Sequence, residues 1–242
     1  MTCFPEEAGE GSLQGEIIIL SRKDEPMDTE TLEKLVKGRR SVRKWKKEDV
    51  PDDLIKKAIE LGTWAPNGGN YQGWHFRIAK NKDVIEKMAN AVQSAADKIA
   101  SWPEAAQWPE DESRYRKYAS FFINAPVVVA AFTGEYQSVM DKVLLARESF
   151  DPEAKRVLTF RRSAPTAIQS AAAAVTTMLL AFHQMGLGAV WMAGPLIAKK
   201  EIETLLKVPA NLSLVCLVPV GYPDESPQRN RKPVEDVLEF IR

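Results

Sequence analysis

Between Gly38 and Trp45 the chain reads Gly-Arg-Arg-Ser-Val-Arg-Lys-Trp. Arg39, Arg40, Ser41 and Arg43 thus put three guanidinium groups and a hydroxyl within five residues. A guanidinium is a planar fork that stays charged and meets phosphate oxygens in pairs. A serine hydroxyl adds another donor. A phosphate monoester carries roughly two negative charges at neutral pH and needs such a donor set. The stretch therefore suits the phosphate tail of a cofactor. The competing readings are a solvated basic run, extended by Lys44, Lys46 and Lys47, or a nucleic-acid patch. Lys plus Arg and Asp plus Glu are 33 each, and this balance counts against nucleic acid.

Other places carry weaker signals. Asn67, Asn70 and Gln72 lie in the stretch from Ala65 to Gly73, among three glycines. Carboxamides donate and accept, which suits a heteroaromatic edge alternating C=O and N–H. The glycines let backbone N–H groups approach a flat ring, although an ordinary surface turn has the same composition. Arg229 and Arg231 point the same way on extended chain, or form a plain charged tail. Gly186-Leu187-Gly188-Ala189-Val190-Trp191 looks like the start of a dinucleotide fingerprint. Trp191 stands where the third glycine belongs and the glycines precede a strand, so a Rossmann site is rejected. His75 and His183 are far apart and read as structural rather than as metal ligands. No Ser-His-Asp or Cys-His arrangement is legible.

These residues need a scaffold. The 242 residues, 45% of them hydrophobic, allow one large domain or two small ones with a sizeable core. Nothing suggests general attraction to nucleic acid or to a membrane surface. Cys3 and Cys216 make neither a metal knuckle nor a disulfide framework, so a reduced, cytoplasmic setting is the default. Residues 1–27 lack the basic start and apolar run of a signal peptide and read as a loose leader with a short strand at Glu16–Leu20. The longest apolar run, Ala171–Phe182, is too short to span a bilayer.

Along the chain, helices are expected at Asp28–Lys37 and Pro51–Gly62, and after Asn81 with an inward side from Val84 to Ile99. Residues 101–112 break the pattern, and Ser113–Ile123 is amphipathic. Thr133–Thr159 reads as a short helix and loops. The longest helix, Ser163–Met185, is apolar nearly all round and so must be buried by other helices or by a second subunit. A further helix is expected at Ala198–Lys207, and the tail ends in an amphipathic piece. Strands are expected at Trp74–Ala79, Val127–Phe132, Ala189–Met192 and Ser213–Val220. Dispersed strands among dominant helices predict an α+β fold, with one sheet under helices.

Taken together and in order, RRSVRKW, APNGGNYQGWHF, GLGAVWMAGPL and RNRKP resemble the nitroreductase family of FMN enzymes, over Asp28 to the C-terminus. The resemblance implies a central, mostly antiparallel sheet flanked by helices, in an intertwined homodimer with two FMN sites at the interface. It implies that Arg39, Arg40, Ser41 and Arg43 meet the FMN phosphate, with Arg43 or Arg40 also near the pyrimidine edge. Arg229 and Arg231 would close on the same phosphate. Met192, Ala193 and Gly194 would lie along the central ring. Pro66, Asn67, Gly68 and Asn70 would come from the second subunit, with Gln72 reaching the polar edge. Family members often carry serines where Asn67 and Gly68 stand, and some an acidic residue at the position of Ala193; both departures bear on substrate and nicotinamide preference.

The activity so implied is hydride transfer from NADH or NADPH through FMN to a nitroaromatic, quinone or similar flat acceptor, in a ping-pong cycle. No side chain need act as acid or base. Residues 101–123 would form a lid, with Trp102, Trp108 and Tyr115 stacking on the acceptor. Two alternatives stand beside this. One is reductive dehalogenation of halogenated aromatics, for which Glu110, Glu112, Tyr115 and Lys117 are present at unconvincing spacing. The other is a flavin carrier or sensor without turnover. A relative that consumes its own flavin to make dimethylbenzimidazole has a different loop in place of APNGGNYQGW.

Overall fold

The computed structural model describes residues 28–242, so the leader, its expected strand and Cys3 lie outside the described residues. Helix α1 (Thr29–Gly38) starts on Asp28, whose carboxylate accepts the Thr31 N–H at 2.8 Å. Helix α2 (Asp52–Gly62) carries Asp52 and Asp53 in its first turn, against the positive end of the helix dipole. Lys80 binds the Val50 carbonyl at 2.8 Å and Asp52 at 2.9 Å, which pins the start of α2 to the end of strand β1 (Trp74–Ala79). Helix α3 (Lys82–Ala100) is capped by Asn81 and buries Ile85, Met88, Ala89, Val92 and Ala96.

Strands β1, β2 (Val127–Gly134), β3 (Gly188–Ala189) and β4 (Leu212–Gly221) form one sheet in the order β1-β2-β4-β3. Every adjacent pair is antiparallel. The strand β2 is buried along its whole length. Its alternating side chains explain how the core divides. Val127, Val129 and Ala131 pack with α2 and with helix α7 (Thr166–Gln184). Val128, Ala130 and Phe132 pack with α3 on the opposite face. The fold is α+β, as the order of elements predicts.

Five expectations need correction. The region 133–159 holds two helices, α5 (Val139–Arg147) and α6 (Pro152–Ser163). Ser138 and Asp141 close a capping box on α5, Asp151 caps α6, and Arg161 forks onto Asp141 to lock the pair together. The longest helix starts at Thr166, because Pro165 disfavours helical backbone at Ala164, which has φ −133° and ψ 68°. In the expected lid, α4 (Pro109–Ala119) begins four residues early, on a proline at N1, behind a 3-10 turn at Pro103–Gln107. The strand expected at Ala189–Met192 stops at Ala189. Val190 donates to the Pro219 carbonyl at 3.3 Å, but proline has no N–H to return the bond. Pairing resumes only as a bridge between Met192 and Leu217. A last helix, α8 (Lys199–Leu205), follows a 3-10 turn at Gly194–Ala198. The tail forms no amphipathic helix; it has a 3-10 turn at Val234–Asp236 and is otherwise irregular and exposed.

The run Ala171–Phe182 is short, yet the helical stretch around it is long and apolar enough to cross a membrane by length and composition. Half of its apolar window is buried within this chain, where α7 packs on α2 and the sheet.

Candidate functional site

The arginine stretch follows α1 and is laid along the sheet edge. Ser41 bridges Ala189, and the Val42 N–H donates to the Ala189 carbonyl at 3.2 Å. The indole N–H of Trp45 donates to the Gly188 carbonyl at 2.8 Å. On the other side, Lys46 donates to Tyr222, Asp224 to Lys44, and the Arg43 N–H to Glu225 Oε1 at 2.5 Å. The first motif is thus held between the glycine-bounded segment and the start of the tail. Gly188 has to be a glycine here, since a Cβ on it would sit 2.8 Å from Val42 Cβ, Cγ1 and Cγ2.

This arrangement gathers cations. Arg39 is half-buried, and its pKa is pushed down first by burial, then by the charges of Arg231 and Arg40. Residues 192 positions apart in sequence therefore share one field. Arg40 folds back on the carbonyls of Lys37 and Arg39, and its Nε is buried without a partner. Among the described residues none of Arg39, Arg40, Arg43, Arg229 or Arg231 pairs with a carboxylate. The contrast is sharp with Arg114, Arg116, Arg147, Arg156, Arg161 and Arg162, each of which has one. A cavity of ≈ 240 Å³ lies beside the cluster, lined by Arg39, Arg40, His183, Glu225 and Ser226 among others. Clustered guanidinium groups that make no ion pair among the described residues fit a multiply charged anion, and a phosphate monoester matches them.

His183, read from sequence as merely structural, lines this cavity. Its pKa is lowered by burial and then by Arg39 and Arg40, so the ring is neutral at pH 7. A Cβ on Gly38 would lie 2.9 Å from His183 Nε2. The signal for it was available: Gly38 ends α1 and offers no side chain, so a ring on a packed helix, here α7, can close over it.

Met192, Ala193 and Gly194 lie further along the same segment. Ala193 and Gly194 are exposed, while Met192 is tied to Leu217. The Tyr115 hydroxyl on α4 donates to the Gly194 carbonyl at 3.3 Å, which brings the expected lid onto this segment. Trp45 stacks on Phe121 at 6.1 Å between ring centroids, a second link from that region to the arginine stretch.

The carboxamide loop is elsewhere. Gly68 donates its N–H to Ser170 Oγ at 3.2 Å, near the start of α7. Asn67 Oδ1 accepts the Gln72 N–H at 3.0 Å, and Asn70 Oδ1 accepts from Gln72 Nε2 at 3.1 Å. Asn70 and Gln72 both hold φ of 50°, a sparsely populated region for such residues. The arginine cluster meets α7 at Leu179 and His183. Ser170 and His183 are about 20 Å apart along a helix. Within one chain, then, the structure brings together Arg39, Arg40, Ser41, Arg43 and Arg231, and it leaves Pro66, Asn67, Gly68, Asn70 and Gln72 at the far end of α7.

Among the described residues no group of His, Cys, Asp and Glu is placed to hold a metal ion.

Several known proteins resemble this chain in sequence and fold. A Methanothermobacter thermautotrophicus protein provisionally named NADH dehydrogenase/NAD(P)H nitroreductase is 26% identical over 194 residues, 79% of this chain and 77% of that protein. A BluB-like flavoprotein from Clostridium difficile 630 superposes with a TM-score of 0.76 at 30% identity, covering 90% of this chain and 100% of that one. An oxidised iodotyrosine deiodinase solved with FMN and 3-iodo-L-tyrosine has a TM-score of 0.63 at 25% identity, covering 87% and 97%. Residues 36–222, from the arginine stretch through the last strand, match the Nitroreductase family, and the chain belongs to it.

Proposed function

We propose that this protein is an FMN-dependent oxidoreductase, which moves hydride from NADH or NADPH to a nitroaromatic, quinone or similar flat acceptor and works as a homodimer. The observation that carries the reading is that Arg39 lies in the field of Arg231, neither of them paired with a carboxylate among the described residues, beside a glycine-bounded segment. Likeness to a deiodinase solved with FMN supports the choice of cofactor.

In this reading Arg39, Arg40, Ser41, Arg43, Arg229 and Arg231 hold the phosphate, and Arg43 or Arg40 also reaches the pyrimidine edge. Met192, Ala193 and Gly194 line the central ring. Bound FMN supplies the reversible hydride chemistry that no side chain here offers. A fixed guanidinium at the pyrimidine edge stabilises negative charge there without reorganisation. The residues 101–123 act as a lid that excludes water. No proton donor or acceptor is assigned.

The divided site supports the homodimer. Pro66, Asn67, Gly68, Asn70 and Gln72 of a second copy would complete the pocket that this chain's arginines begin. The α7 residues Ile168 and Thr176, both exposed, and Leu180, partly covered, would lie in the interface.

The test is spectroscopic. Purified protein should be yellow, should bleach anaerobically with NADH or NADPH, and should recover on adding a quinone. Flavin that no nicotinamide reduces would make it a carrier instead. Dehalogenation is the second reading, favoured by the likeness to iodotyrosine deiodinase and by Glu110, Glu112, Tyr115 and Lys117 on α4. Tight binding of 3-iodo-L-tyrosine over the flavin would select it.

A further inference from the structure

The carboxamide loop is wedged by a pair of tyrosines. Tyr71 sits inside the loop, between Asn70 and Gln72, both exposed and both at φ 50°. Tyr136 stands two residues past the end of β2, just ahead of α5. The two rings meet at 5.2 Å between centroids with their planes tilted by 45°, a favoured aromatic arrangement.

Glycines make room for this pair. The Gly134 N–H donates to the Gly73 carbonyl at 3.0 Å, and Tyr71 lies over both residues. A Cβ on Gly73 would fall on the Tyr71 ring, and one on Gly134 would lie 2.7 Å from its hydroxyl oxygen. Tyr136 in turn covers Gly69, whose Cβ would stand 2.5 Å from the Tyr136 hydroxyl oxygen and 3.3 Å from its Cζ. Gly69 itself has φ 60°, so Gly69, Asn70 and Gln72 all hold left-handed backbone within four residues. That conformation is costly for Asn and Gln and persists only where the surroundings over-determine it. The hydrogen bonds inside the loop, from Gln72 to Asn67 and Asn70, join exposed groups and compete with water. Ring packing over the glycines meets no such competition.

We infer that Tyr71 and Tyr136 are positioning residues: stacked on each other, they hold Asn70 and Gln72 in the left-handed backbone that presents both carboxamides to a flavin edge. The inference rests on the oxidoreductase reading, in which this loop reaches the flavin of a second copy. It deepens that reading, because it adds Tyr136, which lies outside all four sequence motifs, to the residues on which cofactor binding depends.

The experiment is isothermal titration of the full-length, flavin-free protein with FMN and, separately, with inorganic phosphate, joined to amide hydrogen exchange over residues 66–73. Tyr136→Ala should speed exchange in the loop and weaken FMN by about tenfold or more, because binding must then restore two strained residues. Phosphate affinity should stay native, since the arginine cluster lies about 20 Å away along α7. Tyr136→Phe keeps the ring and should bind FMN to within a few-fold of the native protein. Gly69→Ala should weaken FMN through its clash with the Tyr136 hydroxyl, and Tyr136→Phe in the same chain should recover part of that loss. Native FMN affinity in Tyr136→Ala, phosphate affinity that falls in step with FMN, or unchanged exchange in the loop would each overturn the inference. A loop loosened by Tyr136→Ala in a protein that binds phosphate but no FMN would sink the flavin reading and leave the ring pair as what shapes the loop. Tight FMN binding in the native protein and in Tyr136→Ala alike would do the reverse.

Discussion

The indole N–H of Trp45 donates to the carbonyl oxygen of Gly188 at 2.8 Å, across 143 residues of chain. Both groups are buried. The bond seats the arginine stretch on the glycine-bounded segment, and that seating sets where Arg39, Ser41 and Arg43 lie. Trp45→Phe would keep the ring packing on Phe121 but strand the Gly188 carbonyl. A buried acceptor left unpaired costs about 1–3 kcal/mol. Urea unfolding of the flavin-free protein should show a loss of that size. A midpoint equal to that of the native protein would mean that water reaches the carbonyl.

The close approach of Gly188 to Val42 makes a second prediction. Three side-chain atoms of Val42 lie 2.8 Å from the place of a Gly188 Cβ, and a β-branched side chain has little freedom to move away. Overpacking of this kind costs about 1–3 kcal/mol. Gly188→Ala should therefore destabilise, and Val42→Ala in the same chain should recover part of the loss. Two penalties that simply add would show that the two residues do not press on each other.

Arg39 should behave differently from a structural arginine. It sits half-buried beside two like charges, so the flavin-free protein gains nothing from its charge. Arg39→Ala should leave the unfolding midpoint of that form unchanged or raised. FMN affinity should fall by about 2–5 kcal/mol, the range for removing one partner of a hydrogen-bonded charge pair. Isothermal titration of stripped protein measures the second quantity and urea unfolding the first. Loss of stability with unchanged FMN affinity would reverse the assignment.

Much of this was legible in the sequence, and the failures have physical causes. The strand β1 and helices α2 and α3 carry clear periodicity, β2 and β4 are continuous apolar runs buried on both faces, and each packs as its pattern demands. The four motifs were legible as residue types, but not their grouping, which depends on the sheet edge placing Ser41 against Ala189. The shortened β3 was hidden because its cause, the missing N–H of Pro219, sits on a different strand. The helices α5 and α6 were announced by Ser138-x-x-Asp141 and Asp151-Pro152, but apolar spacing alone does not weigh caps. The tail read as amphipathic, yet nothing among the described residues covers Val237, Phe240 or Ile241, which are 70%, 71% and 97% exposed.

His183 predicts a pH dependence. Burial, then Arg39 and Arg40, lower its pKa from 6.5, so the folded state prefers the neutral ring. The unfolded chain binds the proton more readily. The stabilisation is therefore complete above pH 6.5 and is lost as pH falls through the lowered folded value. Arg39, Arg40 and Glu225 are the charged groups lining its cavity. Of these only Glu225 could hold the added proton in place. Urea midpoints measured from pH 7.5 to 5 should fall more steeply for the native protein than for His183→Gln. Parallel slopes would mean that the imidazole titrates alike in both states. A bound phosphate should also flatten the native slope, because its charge favours the imidazolium.

The divided site gives the most demanding test. The loop from Pro66 to Gln72 and the arginine cluster lie about 20 Å apart along α7 in one chain, so a single copy cannot bring both to one ligand. Among the described residues β1 pairs only with β2, which leaves its outer edge without a strand from them, and open edges invite another chain. In the homodimer proposed above, a second copy would supply the missing half of each site. Asn67→Ala should weaken FMN binding by releasing the Gln72 N–H, and Arg39→Ala should weaken it at the phosphate. If each site draws on two chains, a mixed dimer of the two variants holds one doubly damaged site and one intact site. Refolding the variants together should then restore tight binding at about a quarter of all sites, half of the dimers being mixed. Sedimentation should give a two-chain mass throughout. If each chain builds its own site, mixing restores nothing, and the homodimer would lose its functional reason whatever its mass.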